Sequence, residues 1–147
     1  MTGSSRELGR AHRRSGPGRL IIAVYVVFVI GATSRAALQI ATRWEQAPLA
    51  YGLSALAAAV YVLATVCLLL PGRAAWAAAF VAISVELLGV LVVGTWSVLD
   101  PASFPDDTVW SGYGRGYLYV PLVLPVAGLW WLWRVRPVSP RGPRPAR

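Results

Sequence analysis

Long apolar segments separated by short polar ones run through most of this chain. A helix of about 17–25 apolar residues crosses the core of a bilayer, and the segments have this length. Backbone groups in lipid must be hydrogen bonded internally, so helix is expected even where β-branched residues are dense. Pro125 is expected to bend the last helix. The pattern predicts four transmembrane helices, at about 20–40, 49–70, 74–99 and 117–133.

Two basic tails flank the apolar region. Residues 1–19 and 137–147 contain arginine, glycine, serine and proline but few apolar residues. Segments of this composition do not bury enough apolar surface to fold, so both are predicted to be disordered. The predicted fold class is therefore all-α: a four-transmembrane-helix bundle within residues 20–136, with disordered basic termini.

The composition agrees with a membrane protein and excludes several kinds of enzyme. Of 147 residues, 56% are hydrophobic and only 14% are charged, against about 25% charged residues in soluble domains. Cys67 is the only cysteine and His12 the only histidine. These single residues exclude an internal disulfide, a thiol relay, a bis-histidine haem and a Cys/His metal cluster. No cofactor, no metal and no enzymatic activity are expected.

The arginines predict how the helices are oriented. The net charge is +8; five arginines precede the first predicted helix, and five follow the last. The short turn before the third helix has Arg73 and no acid, whereas the other two connections set Arg43 against Glu45 and Arg115 against three aspartates. By the positive-inside rule, we expect a multi-pass protein of the cell (inner or plasma) membrane with both termini in the cytoplasm.

The same distribution of charge indicates the partners. Most arginines lie near the chain ends and are not interleaved with aromatic residues in a folded domain, so no nucleic acid is expected. Basic tails beside a membrane attract anionic lipids. The predicted partners are therefore the lipid bilayer, anionic lipids at the basic tails, and a second copy or another membrane protein.

An intramembrane polar cluster is predicted at Glu86, Arg35, Tyr61 and Gln39. Counted along their helices, Glu86 and Arg35 reach similar depth, and an unpaired arginine at a helix centre costs about 2.5–3.5 kcal/mol. An ion pair between them is therefore expected, with Tyr61 nearby and Gln39 on the Arg35 face. A structural pair is the favoured interpretation. The alternatives are a ligand or proton site, and an Arg35 that snorkels away from a neutral Glu86.

The segment 100–116 is the one long connection, and its residues allow two interpretations. Its Asp106, Asp107, Trp110 and Arg115 are candidates for an outer recognition site. Aspartate, glycine and aromatic residues at a membrane boundary are also common as turn formers and interfacial anchors. The second interpretation is favoured.

The segment from Glu86 to Leu132 resembles a group of small four-span integral membrane proteins predicted from actinobacterial genomes. It reads ELLGVLVVGTWSVLDPASFPDDTVWSGYGRGYLYVPLVLPVAGLWWL. The resemblance implies no activity and transfers no functional residue. We therefore expect a non-enzymatic structural or accessory membrane component of unknown process. The alternative is a small transporter or channel that acts as an oligomer and uses the Glu86/Arg35 pair.

Overall fold

The structure is a computed structural model that describes residues 16–137. In these residues the fold is all-helical, without any strand. The four α-helices are α1 (Gly16–Arg43), α2 (Pro48–Leu69), α3 (Arg73–Leu99) and α4 (Val120–Arg134). Short 3₁₀ segments lie in the connections at Trp44–Gln46 and Pro101–Ser103, and a 3₁₀-like segment at Ser111–Tyr117 is interrupted by left-handed φ angles at residues 112–114.

Three helices have the length and composition of membrane spans. Helices α1, α2 and α3 contain 28, 22 and 27 residues and are apolar enough to cross a bilayer. The prediction of an all-helical protein with membrane-length helices is confirmed. Helix α4 has 15 residues, roughly 22 Å at 1.5 Å per residue, and is shorter than predicted. Only together with Ser111–Tyr117, across a bend, does it have the length and composition of a broken span or a re-entrant loop.

The first helix begins earlier than the sequence pattern predicted. Residues 16–19, assigned to the N-terminal tail, form the first turn of α1. Pro17 fits there because the N–H groups of a first turn have no partner within the helix. Residues 1–15 and 138–147, which make up the rest of the two predicted tails, lie outside the described residues.

A sharp bend precedes α4. The segment Ser111–Tyr117 meets α4 at 99°. Between them, Leu118 and Tyr119 have left-handed φ angles of 55° and 60°, which a right-handed α-helix does not accommodate. Pro125 lies inside the continuous α4. The 99° bend therefore lies before the helix, at the two left-handed residues, and the bend expected at Pro125 stays a prediction.

The helices pack in a ring. Helix α1 packs against α2 and α4, and α3 also packs against α2 and α4. The Trp131 ring lies on Gly18, where a Cβ would be 2.5 Å from a ring carbon. The Trp76 indole N–H donates to the Leu132 carbonyl oxygen at 2.9 Å. The beginnings of α1 and α3 therefore lie level with the end of α4.

Polar and small side chains lie inside, and large aliphatic side chains lie outside. Three tyrosines and one acid are almost wholly buried: Tyr25, Tyr51, Tyr61 and Glu86. All four helices expose large aliphatic residues, among them Val27, Leu38, Leu56, Leu63, Val81, Leu88, Val123 and Val126. An apolar surface of this extent is exceptional for a protein in water. It is the surface expected of helices that face lipid.

Charged residues separate toward the two ends of the helices. One end, called here the arginine end, has no acid among residues 16–137 and carries Arg19, Arg73, Arg134 and Arg136. The other, called the loop end, carries Arg35, Arg43 and Arg115 together with Glu45, Asp100, Asp106 and Asp107. The remaining acid of residues 16–137, Glu86, lies between them inside the protein.

Candidate functional site

Glu86 is the buried acid of this fold. It lies near the middle of α3, is 0% exposed, and accepts a hydrogen bond of 2.6 Å at Oε2 from the Tyr25 hydroxyl group of α1. Its other oxygen, Oε1, has no hydrogen-bond partner within the described part of the chain. Burial of a carboxyl group costs free energy unless hydrogen bonds replace its hydration. The single hydrogen bond therefore offsets only part of the free-energy cost of burying the Glu86 carboxyl group.

Two more polar atoms near Glu86 lack partners. The Tyr61 hydroxyl group of α2 lies near the Glu86 carboxyl group and the Trp110 indole N–H. Neither Tyr61 Oη nor Trp110 Nε1 meets the geometry of a hydrogen bond with any residue in 16–137. Three helices and the long connection thus meet at four side chains. We call Tyr25, Tyr61, Glu86 and Trp110 the buried centre.

Small residues of α3 admit the connection into the fold. Trp110 is 2% exposed, and its ring lies on Gly89, where a Cβ would be 2.7 Å away. One turn farther, a Cβ at Gly94 would lie 2.6 Å from the Tyr113 ring. Gly89 follows Glu86 by one helical turn, so Trp110 closes the buried centre on its loop side.

A local turn holds Trp110 in this position. Thr108 Oγ1 accepts the backbone N–H of Trp110 at 3.0 Å and that of Ser111 at 2.9 Å. The Thr108 N–H in turn donates to Ser111 Oγ at 2.9 Å. Side-chain hydrogen bonds of this kind stabilise a turn in place of helix or strand. The connection is therefore an ordered part of the interior.

Arg35 binds the connection. Its guanidinium group donates to Tyr117 Oη at 2.6 Å and to the Asp107 carbonyl oxygen at 2.9 Å. Its guanidinium carbon also lies 5.8 Å from the centre of the Tyr117 ring. Arg35 therefore fastens α1 to the segment before α4.

Asp106 forms a second attachment. Its Oδ2 accepts hydrogen bonds from Gln39 Nε2 of α1 at 3.3 Å and from the Tyr51 hydroxyl group of α2 at 3.0 Å. Together the two attachments fasten the connection to α1 and α2 at the loop end. We call this set the outer latch: Arg35, Gln39, Tyr51, Asp106, Tyr117 and the carbonyl group of Asp107.

The hydrogen bonds correct the predicted pairing of Arg35 with Glu86. Gly18 and Trp76 contact adjacent residues of α4 and mark one level of the fold. Arg35 follows Gly18 by 17 residues, whereas Glu86 follows Trp76 by 10. At 1.5 Å per residue, Arg35 therefore lies about 10 Å closer to the loop end. The predicted polar cluster divides: Glu86 and Tyr61 lie in the buried centre, and Arg35 and Gln39 lie in the outer latch.

The predicted recognition residues of the connection also separate. Trp110 is buried beside Gly89, and Asp106 belongs to the outer latch. The side chains of Asp107 and Arg115 are exposed at the loop end. The buried centre and the outer latch thus each combine residues of the predicted intramembrane cluster with residues of the predicted recognition site.

The sequence interpretation did not identify three tyrosines as members of the polar clusters. Tyr25 is the donor to Glu86, and Tyr51 and Tyr117 bind Asp106 and Arg35. The sequence did contain a signal for all three, because they lie within or beside apolar segments. A tyrosine buried in such a segment usually needs a hydrogen-bond partner for its hydroxyl group.

The surface depressions of the described residues lie away from the buried centre, and none of these residues form a metal-binding group. Among residues 16–137, no group of three or more His, Cys, Asp and Glu side chains is placed to hold a metal ion. One surface depression is lined by Leu91, Val92, Thr95, Trp96 and Leu99. Another is lined by Trp130, Trp133 and Arg134. Neither depression reaches Glu86.

No protein-family model, curated protein or solved structure matches this chain. The resemblance to actinobacterial membrane proteins therefore stays a prediction. The function is inferred below from the geometry of the chain's own residues.

Proposed function

We propose that this chain is a multi-pass protein of the cell membrane that serves as a non-enzymatic structural or accessory component. Three helices of membrane length and an apolar outer surface support the membrane location. The bent unit of Ser111–Tyr117 and α4 provides the fourth crossing. Together with the ring of helix contacts, it completes a four-helix bundle.

The separation of charge supports the orientation. Cytoplasmic ends of membrane proteins are enriched in arginine and lysine. The arginine end carries four arginines and no acid within the described residues, and it contains the beginning of α1 and the end of α4. We therefore assign both termini to the cytoplasm and the loop end to the outer side.

The closed interior is the main observation that supports a structural role. Glu86 is 0% exposed, and Trp110 occupies the space between it and the loop end. The outer latch uses its polar groups to hold helices to the connection. A chain whose polar side chains serve internal contacts has the properties of a scaffold.

Flux measurements in proteoliposomes test this role. The full-length protein is reconstituted with an internal pH-sensitive dye, and gradients of protons, Na⁺ and K⁺ are imposed. The expected dye response equals that of protein-free liposomes. A proton flux present with the wild-type chain and with Tyr119→Phe, but lost in Glu86→Gln, would contradict the structural role.

Transport is the second candidate, and the unpartnered atoms of the buried centre favour it. Glu86 Oε1, Tyr61 Oη and Trp110 Nε1 have unused hydrogen-bonding capacity in the described structure, which a proton carried through the buried centre would use. Because Arg35 binds elsewhere, such a site would use Glu86 with Tyr25, Tyr61 and Trp110. The same flux measurement decides between the two candidates.

A further inference from the structure

The guanidinium groups of two arginines, one in the last turn of α4 and one just after it, lie over the rings of two exposed tryptophans. The Arg134 guanidinium carbon lies 4.5 Å from the centre of the Trp130 ring, and that of Arg136 lies 4.5 Å from the centre of the Trp133 ring. The tryptophans are 50% and 64% exposed. Trp130, Trp133 and Arg134 line a depression of the surface. We propose that this depression binds the phosphate headgroup of an anionic phospholipid.

The arginines present the donors that a phosphate group needs. Stacking on an indole ring uses the face of a guanidinium group and leaves its N–H edge available. That edge matches two oxygens of one phosphate group. Within residues 16–137, neither Arg134 nor Arg136 forms an ion pair, because four acids lie at the loop end and Glu86 is buried. Charge complementarity therefore selects an anion.

The rest of α4 selects a lipid over a soluble anion. Val123, Val126, Trp130 and Trp133 follow one another at three- and four-residue spacing and form one exposed face. Acyl chains would lie along the valines, with the headgroup at the arginines. Tryptophan rings favour the level at which headgroups and acyl chains meet.

Retention of lipid by the purified protein tests the site. The full-length protein, stripped of lipid, is incubated in mixed micelles with equal amounts of phosphatidylglycerol and phosphatidylcholine with the same acyl chains. Native mass spectrometry then measures the retained lipid. The expected preference is for phosphatidylglycerol, and Arg134→Gln with Arg136→Gln should reduce its retention about tenfold. Equal retention of both lipids by the wild-type chain would overturn the proposal.

A matched control separates the site from net charge. Arg43→Gln with Arg115→Gln removes the same charge at the loop end, where neither arginine is stacked on an aromatic ring in the described structure, and should keep the preference. An equal loss in both double variants would overturn the proposal. Trp130→Leu with Trp133→Leu keeps the charge and should still reduce retention severalfold, so this variant decides if the arginine variant fails to fold.

Two further measurements are needed. One distinguishes a lipid phosphate group from a soluble one, and the other distinguishes failure of the lipid site from failure of the proposed membrane location. Inorganic phosphate alone should not raise the unfolding temperature; stabilisation equal to that by phosphatidylglycerol would indicate a soluble anion and overturn the proposal. The inference rests on the membrane location proposed above. Loss of lipid preference in a chain that still fractionates with membranes leaves that location intact, whereas absence from the membrane fraction contradicts both.

Discussion

The long connection contributes to both the buried centre and the outer latch, but the two clusters satisfy their polar groups to different extents. In the centre, Glu86 has one hydroxyl donor, and three polar atoms have no partner among the described residues. In the latch, Arg35 donates to a hydroxyl group and a carbonyl group, Asp106 accepts two side-chain donors, and one buried atom, Gln39 Oε1, has no partner among the described residues. The centre is closed, whereas parts of the latch are exposed at the end of the helices.

This difference predicts how much each cluster contributes to stability. A polar group that loses its partner in a closed interior carries the full cost of desolvation, whereas an exposed one binds water. We therefore expect substitutions in the buried centre to cost more than substitutions in the outer latch. Each prediction below refers to the free energy of unfolding, measured by denaturant titration in mixed micelles and followed by circular dichroism.

The largest loss is expected for Trp110→Ala. Removal of a buried ring that lies on Gly89 leaves a cavity, which costs about 3–5 kcal/mol. The matched control is Trp44→Ala, at an exposed tryptophan, and should change stability by about 0.5 kcal/mol or less. Equal losses in the two variants would show that the connection does not fill the interior.

A smaller loss is expected for Tyr25→Phe. This change removes the donor to Glu86 Oε2 and leaves a second buried oxygen unpaired, at about 1–3 kcal/mol. Tyr119→Phe, at an exposed tyrosine, is the control and should be neutral. With Glu86→Leu the oxygen itself is gone, so the double variant should lose less than the sum of the single variants. Simple additivity would contradict the hydrogen bond.

A still smaller loss is expected for Arg35→Gln. Its two hydrogen bonds lie near solvent, so we expect about 0.5–1.5 kcal/mol. The loss should couple with that of Tyr117→Phe and add to that of Glu86→Leu. Coupling between the losses of Arg35→Gln and Glu86→Leu would instead support the ion pair predicted from the sequence. Arg43→Gln, at an exposed position, controls for the loss of charge.

The smallest effect is expected for Arg115→Gln. Its side chain is exposed at the loop end and belongs to neither cluster. The change should be within about 0.5 kcal/mol of zero, as for most surface substitutions. A larger loss would mean that the latch extends to Arg115 and would blur the contrast between the two clusters.

The apolar pattern predicted the helices because it depends on local properties of the chain. Lengths and positions of α1, α2 and α3 follow from uninterrupted apolar segments, since lipid leaves the backbone no alternative to helix. The buried face of α3 has a local signal as well: the small residues Ala79 and Ala82 share a face with Glu86, and all three are buried. Small residues on one face indicate close packing.

The partners of the polar groups depended on distances that the sequence does not contain. An uncertainty of four residues in the start of α1 shifts every depth by about 6 Å, enough to place Arg35 wrongly beside Glu86. The entry of Trp110 into the interior required the close approach at Gly89 and the turn at Thr108. Local sequence determined which segments are helices and which face of α3 is buried. Only the tertiary structure decided which residues of different helices lie at the same depth, because that alignment is set by contacts between residues far apart in the chain.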